Sequence, residues 1–447
     1  YLELEIGKQP VISPYWSLRN VVARGAETQL DNFDDASRQL EALLSDAIGL
    51  RMQADVPLGA FLSGGVDSSL IVALTQAQSS TPVKTFTIGY EDPAYDEAPH
   101  GAAVAKHLGT DHHEWRITAN DGLALVPSLA QIWDEPFSDS SQIPTMLVSK
   151  LTRGHVTVSL SGDAGDELFG GYNRYFLGAR IWQASSRLSG GVRQGLQALA
   201  NSARVGKLLG GVFAAHPRLR SLMIADRLPK IGAVLAERDQ MGLYRRLVSH
   251  LDDPTQLLID KTVVLSPAFA ESLQGHDIRE KMMFTDTLTY LPDDILVKVD
   301  RASMAVSLES RVPFLDPRVV EFAWRLPLSA KISGGSGKSI LRDILYRHVP
   351  RELIERPKMG FAVPIDNWLR HELRDWAEAL LDRQRLEEDG FFEAGRVRAM
   401  WDDHLNGRRR NHYVLWDILM FQAWYEQNRS SVVSRGNAPQ RTALATA

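Results

Sequence analysis

Between residues 34 and 52, Leu40, Leu43, Leu44, Ala47 and Ile48 recur at i, i+3, i+4, i+7 and i+8, which predicts one apolar face of a helix. Residues 1–32 ahead of it carry scattered Pro and Gly without a sustained period, and read as a linker or edge segment. Beyond the helix the pattern changes to short apolar runs separated by helical stretches. Strands are expected at 58–62, 83–88, 113–117 and 156–160. Helices are expected from about 67, over 96–108, and around 123–133 and 145–151. Strands separated by helices of this length imply right-handed βαβ units and a parallel sheet flanked by helices, an α/β fold. In such sheets ligands bind outside the carboxyl ends of the strands. Two polar, Gly-rich turns occupy that position, one after Leu62 and one after Leu160.

From about 180 to 281 the chain is Leu/Ala/Arg-rich and helical, without strand signals, and helical periodicity resumes from 286 to about 425. The expected organisation is a linker over 1–32, an α/β core over 33–180 and a helical insertion over 181–285. A mainly helical remainder over 286–428 and a disordered tail over 429–447 complete it.

Composition narrows the class. The 447 residues allow two or three domain-sized units, and 44% hydrophobic with 23% charged residues is ordinary for a soluble globular chain. A net charge of −5 spread over both signs, with no basic stripe, argues against nucleic acid as a partner. No apolar stretch reaches the roughly 20 residues of a bilayer crossing, and no secretory signal is visible, so the cytoplasm is the expected location. The chain contains no Cys, which excludes disulfides, thiolate zinc sites and a cysteine nucleophile within it.

Three constellations carry chemistry. In Ser63-Gly64-Gly65-Val66-Asp67-Ser68-Ser69, two glycines allow close backbone approach, a helix N-terminus presents free N–H groups, and three serines add hydroxyls. An ordinary Ser-capped turn is the plain reading; the strand–loop–helix setting favours a phosphate cradle. Asp67 would repel phosphates unless a divalent cation bridged the two, and oxygen ligands beside phosphates favour Mg²⁺. The second is Ser161-Gly162-Asp163-Ala164-Gly165-Asp166-Glu167-Leu168-Phe169-Gly170-Gly171-Tyr172. Its three carboxylates within five residues must be solvated, counter-charged or metal-bound. Ala disfavours positive φ, so an ordinary backbone conformation is expected at Ala164. The third is Lys358 in Arg356-Pro357-Lys358-Met359-Gly360-Phe361, with Lys338 twenty residues earlier; taken alone, either lysine reads as surface charge. Gly334 to Ser339 ends like a Walker A loop, but Ile332 stands where the first Gly is needed, so that motif is excluded.

S-G-G-V-D-S-S is similar to the pyrophosphate loop of the N-type ATP pyrophosphatases. S-G-D-A-G-D-E-L-F-G-G-Y and the segment Ser307-Leu308-Glu309-Ser310-Arg311-Val312-Pro313-Phe314-Leu315-Asp316 resemble the synthetase domain of glutamine-dependent asparagine synthetases. The resemblance runs from about residue 58 to 424. It also takes in Tyr95-Asp96-Glu97, Gly109-Thr110-Asp111-His112-His113 and P-K-M-G-F.

The resemblance implies an adenine-nucleotide alpha-hydrolase-like fold of the ATP-pyrophosphatase type with an added helical lobe. It implies that aspartate is activated by ATP as an acyl-adenylate and then amidated by ammonia. Ser63, Gly64, Gly65, Asp67, Ser68 and Ser69 would hold the departing phosphates, Leu62 and Ile88 would border the adenine, and Ser161 and Gly162 would contact the nucleotide. Asp67 and Asp166 match Mg²⁺ ligands, Asp163 an acid tied to adenylate formation and amidation, and Lys338 and Lys358 cations that neutralise phosphate charge. Relatives with this domain also amidate sugar-linked or secondary-metabolite carboxylates, or close β-lactam rings. A retired, non-catalytic nucleotide-binding module is the reading from another class; the intact carboxylates and lysines argue against it. Glutamine-dependent members begin with a Cys-dependent glutaminase domain. No Cys and no room before Asp34 leave that domain unrepresented, so ammonia is expected from a glutaminase in the parent protein. Neither membrane nor nucleic acid is an expected partner, and a homodimer is compatible with the pattern.

Overall fold

The computed structural model describes residues 1–91, 96–200, 230, 232–264, 266–269, 273–356 and 363–436. The described chain divides into two compact units. One comprises Tyr1–Arg116, Val148–Arg180 and Pro267–Gly360; the other comprises Ile117–Leu147, Ile181–Ser266 and Phe361–Ala447.

The first unit opens on a small antiparallel hairpin, β1 (Leu2–Glu3) with β2 (Val11–Ile12). Its centre is a five-stranded sheet of β3 (Leu58–Phe61), β4 (Lys84–Tyr90), β5 (Asp111–Ile117), β6 (Val158–Leu160) and β7 (Glu309–Arg311). The strand order is β5-β4-β3-β6-β7, and the β3–β4, β3–β6 and β6–β7 pairs are parallel. Gly59 on the central strand is small for a reason. A Cβ there would lie 2.6 Å from Phe86 and 2.7 Å from the Lys84 carbonyl of the neighbouring strand. Phe86, Val156 and Leu308 form a buried cluster against the sheet.

The four expected strands are all present, and the α/β class and flanking helices stand. The fifth, β7, lies in a segment that reads Glu-Ser-Arg. It carries no apolar run because it sits at the sheet edge with its residues half-exposed or exposed.

Helix α2 (Phe33–Met52) is capped by Asn32, whose side chain accepts from the Asp35 N–H. Leu40, Leu44, Ala47 and Ile48 on its expected face are fully buried. Ahead of it the structure adds helix α1 (Leu18–Glu27), which buries Leu18, Val21, Val22 and Gly25. Its Gly25 sits so close to the Trp324 carbonyl that any Cβ would collide. A glycine in the packing face hides the apolar period, which is why the segment reads as irregular in sequence. Helix α3 (Val66–Gln78) follows β3, and α4 (Ala98–Leu108) follows β4.

The second unit is helical. Helices Gly190–Ala200, Gln240–Val248, Ala394–Leu405 and His412–Gly436 carry it, with Trp401, Leu415 and Leu419 fully buried. Part of the expected insertion, residues 201–229, lies outside the described residues, as do 437–447 of the expected tail. Among the described residues no helix is long and apolar enough to cross a membrane.

Candidate active site

The strand order reverses between β3 and β6, since β4 and β5 add on one side and β7 on the other. Both Gly-rich turns leave the carboxyl ends of these two adjacent strands, so they face each other across the switch point, where open α/β sheets bind ligands.

The first loop runs from Ser63 into α3. Gly65 occupies the cap position and no side chain caps the helix, so the N–H groups of the first turn are open to an anion. Ser63 and Ser68 brace the loop from within. The Ser63 N–H donates to Ser68 Oγ at 3.2 Å, and the two hydroxyls lie 3.0 Å apart. Gly64 has φ +73° and rests on α4, where a Cβ would come within 2.8–2.9 Å of the His100 and Gly101 backbone. From the far side the Arg356 guanidinium donates to the Ser63 carbonyl and to Glu97 Oε1, each at 3.2 Å. Of the expected nucleotide residues, Leu62, Gly64, Ile88 and Ser69 are buried; Ser63, Gly65, Asp67 and Ser68 are half-buried at the crevice.

The second loop presses against the first. A Cβ on Gly162 would sit 2.9 Å from the Ser68 nitrogen, and one on Gly165 would lie 2.7 Å from Asp67 Cγ. Both positions therefore need glycine, and the two loops touch at backbone distance. Between Gly162 and Gly165, Ala164 has φ +70°. The expectation of an ordinary conformation there is corrected: the close approach on both sides fixes the turn, and Ala164, 1% exposed, takes the left-handed region despite its Cβ. Ala164→Gly should therefore raise the unfolding free energy by about 0.5–1 kcal/mol, read from urea denaturation, because relief of strain outweighs the added chain entropy.

Lys338 joins the loops. It ends the β8 (Ile332–Ser333)–β9 (Ser336–Gly337) hairpin, also at positive φ, and its N–H donates to the Phe169 carbonyl at 3.0 Å. Its side chain is almost wholly buried. The ammonium pairs with Asp67 Oδ2 and stands 2.7 Å from Asp166 Oδ1. Burial pulls its pKa down, but Asp166 and Asp67 outweigh burial and hold it well above the usual lysine range. The lysine that reads as surface charge in sequence is thus the counter-charge of the acidic loop.

Asp163 is partly buried and accepts from the Ser161 hydroxyl. Burial raises its pKa, while the Ser161 bond and the Lys298 ammonium oppose the shift. Glu167, 1% exposed, is pushed up to about 7 by burial and by Asp166, against the hydrogen bond from Tyr172. That bond is 2.6 Å long, and the Arg174 guanidinium lies 3.8 Å over the Tyr172 ring while pairing with Asp286 at 2.6 Å.

Sequence reasoning missed Lys298, Arg174 and Asp286, and quoted Arg356, Glu97 and Tyr172 within motifs without giving them a part. Lys298 is 8% exposed and follows the π-helical turn Leu291–Leu296, a local irregularity of a kind common at functional sites. The cluster of acids around residues 293–300 could have drawn attention to it. Lys358 and Tyr95 lie outside the described residues.

Asp67 and Asp166 bring carboxylate oxygens from opposite loops to one cation, the Lys338 ammonium, and hard oxygens of this kind are the ligands Mg²⁺ takes when phosphate oxygens supply the rest. Among the described residues no group of three or more His, Asp or Glu could hold a metal unaided. The donor set fits Mg²⁺ delivered with a polyphosphate.

The parallel sheet flanked by helices, with a Gly-rich loop and an acidic loop at its switch point, is an adenine-nucleotide alpha-hydrolase-like fold. The asparagine synthase family model matches residues 39–426, and the chain belongs to that family. It is 34% identical over 429 residues to a Mycobacterium tuberculosis protein named "Putative asparagine synthetase [glutamine-hydrolyzing]", covering 93% of this chain and 61% of the relative. Asparagine synthetase [glutamine-hydrolyzing] 1 of Bacillus subtilis is 31% identical over 400 residues, covering 88% of this chain and 60% of that protein. A Methanocaldococcus jannaschii relative is 45% identical over 140 residues, 31% of this chain and 27% of its own. The chain spans about six tenths of the length of the first two relatives.

Proposed function

We propose that the chain activates aspartate with ATP as β-aspartyl-adenylate and converts the adenylate to asparagine with ammonia. The observation that carries this reading is the pair of apposed Gly-rich loops whose carboxylates, Asp67 and Asp166, are tied by one buried ammonium. The open first turn of α3 and the Ser63 and Ser68 hydroxyls take the β- and γ-phosphates. Leu62 and Ile88 supply apolar surface at the strand ends for the adenine, and Ser161 and Gly162 contact the nucleotide from the second loop. A bound Mg²⁺ would lower the charge on the phosphates from Asp67 and Asp166.

The substrate carboxylate oxygen bonds to the α-phosphorus as the bond to pyrophosphate breaks. Lys338, with Lys358, balances the negative charge that accumulates on the departing group. Ammonia then attacks the acyl carbon, AMP leaves with the bonding pair, and the surplus proton passes to Asp163. Burial raises the affinity of Asp163 for that proton, while Lys298 keeps the carboxylate form accessible. The ammonia comes from a glutaminase, consistent with the glutamine-hydrolyzing names of the relatives and with the absence of Cys from this sequence.

The test is a panel of acids with ATP and Mg²⁺, supplied with ammonium or glutamine, scored for AMP, pyrophosphate and amide. Aspartate with ammonium should be active and glutamine inactive. Amidation of a sugar-linked or other acid in preference to aspartate would move the substrate. In Asp163→Ala, amide formation should fall about 100-fold or more. Unchanged asparagine output in that variant removes Asp163 from the mechanism.

A further inference from the structure

The orientation of one peptide sets what the first loop shows an anion. The Ser63–Gly64 bond is trans, so its carbonyl and its N–H point in opposite directions. The carbonyl accepts from Arg356 Nη2 at 3.2 Å, which turns the Gly64 N–H away from Arg356. The reverse orientation is within easy reach. Rotation about ψ of Ser63 and φ of Gly64 swings the plane over, and Gly64, at φ +73°, can take either sign of φ. Flipped, the loop would offer a phosphate a carbonyl oxygen in place of a donor.

Arg356 is itself held firmly. Its Nη1 donates to Glu97 Oε1, also at 3.2 Å, and the two side chains are only 14% and 11% exposed. Glu97 stands at the cap position of α4 yet makes no capping bond to its own helix, and α4 is the helix on which Gly64 rests. The residue before Arg356 is tied down as well. Glu355 accepts from Arg342 Nη1 at 2.7 Å and from the Tyr346 hydroxyl. Arg342 Nε in turn donates at 3.1 Å to the carbonyl of Gly337, which precedes Lys338. One frame therefore carries both the grip on the Ser63 carbonyl and the ammonium shared by Asp67 and Asp166.

We propose that Arg356 is a positioning residue: it latches the Ser63–Gly64 peptide with the N–H turned toward the anion, and so sets the affinity of the first loop for pyrophosphate. The latch rests on the proposed function, in which Ser63 to Ser69 cradle the departing phosphates. Two roles for the guanidinium make opposite forecasts. If Arg356 acted only by attracting the anion through its charge, neutralising Glu97 would strengthen that attraction and tighten binding. A latch needs its anchor, so neutralising Glu97 loosens the grip and weakens binding.

Equilibrium dialysis of the full chain against labelled magnesium pyrophosphate, without ATP or an acid substrate, tests this. Arg356→Met should weaken binding about ten-fold, as the loss of one charged hydrogen bond does. Glu97→Gln, which keeps Arg356, should weaken it about three-fold. Arg356→Lys, with the charge kept and the two-pronged grip lost, should also bind less tightly than the parent. In all three the KM for ATP should rise while the KM for the acid substrate stays the same, a split that general loosening of the fold would not give. Glu97→Gln binding as tightly as the parent or tighter overturns the inference, as does unchanged binding by Arg356→Met. If the parent chain binds no pyrophosphate, the phosphate cradle of the proposed function falls and takes the latch with it. Binding by the parent, with equal binding by every variant, removes the latch alone.

Discussion

Lys338→Met should cost about 3–5 kcal/mol of folding stability and reduce ATP–pyrophosphate exchange about 1,000-fold. Removing the ammonium takes from the partly buried Asp67 and Asp166 the cation they share, and the resulting like-charge repulsion adds to the loss of the ion pairs themselves. Arg is no substitute. The space beside Gly171 is already filled by Lys338 Cε and Asp166 Oδ1, and a planar guanidinium is wider than an ammonium. Mg²⁺ should raise the unfolding midpoint of Lys338→Met more than that of the parent protein, because the two carboxylates that lost the Lys338 ammonium gain a cation. An unchanged midpoint on adding Mg²⁺ would count against metal binding by this pair.

Asp67→Asn should preserve the fold and still lower exchange about 100-fold. The side chain keeps its shape, so the contact with Gly165 is retained, and Lys338 keeps Asp166 as its partner. What changes is the charge offered to the phosphates' cation. The Mg²⁺ concentration for half-maximal exchange should therefore rise while the dependence on the acid substrate stays the same. Loss of exchange with an unaltered Mg²⁺ dependence would assign Asp67 a purely structural part.

The parts of this fold written in local sequence were readable without coordinates. Buried strands such as β3 and β4 show as apolar runs, and α2 shows its face through Leu40, Leu44, Ala47 and Ile48. Elements whose reason lies elsewhere in the chain were not. β7 is a polar edge strand that exists because β6 lies beside it, and α1 owes its Gly25 to the Trp324 backbone. The site divides in the same way. Ser63 to Ser69 and Ser161 to Tyr172 announce themselves because each motif is contiguous. Lys298, Arg356 and Glu97 act through partners more than a hundred residues away, so no window of sequence contains the pair. Ala164 failed for a third reason: its conformation is imposed by Gly162 and Gly165 meeting Asp67, against its own preference.

The hairpin that carries Lys338 also sets a schedule for synthesis. Asp67 and Asp166 emerge from the ribosome long before their counter-charge, since about 170 residues separate the acidic loop from Lys338, on the order of ten to thirty seconds of translation. β7, the edge of the sheet, is late as well. The nascent α/β core must wait with its two loops unable to close, so the nucleotide crevice is assembled in one late step rather than strand by strand. Ribosome-bound chains halted before residue 338 should accordingly be far more sensitive to protease at the acidic loop than chains halted after it.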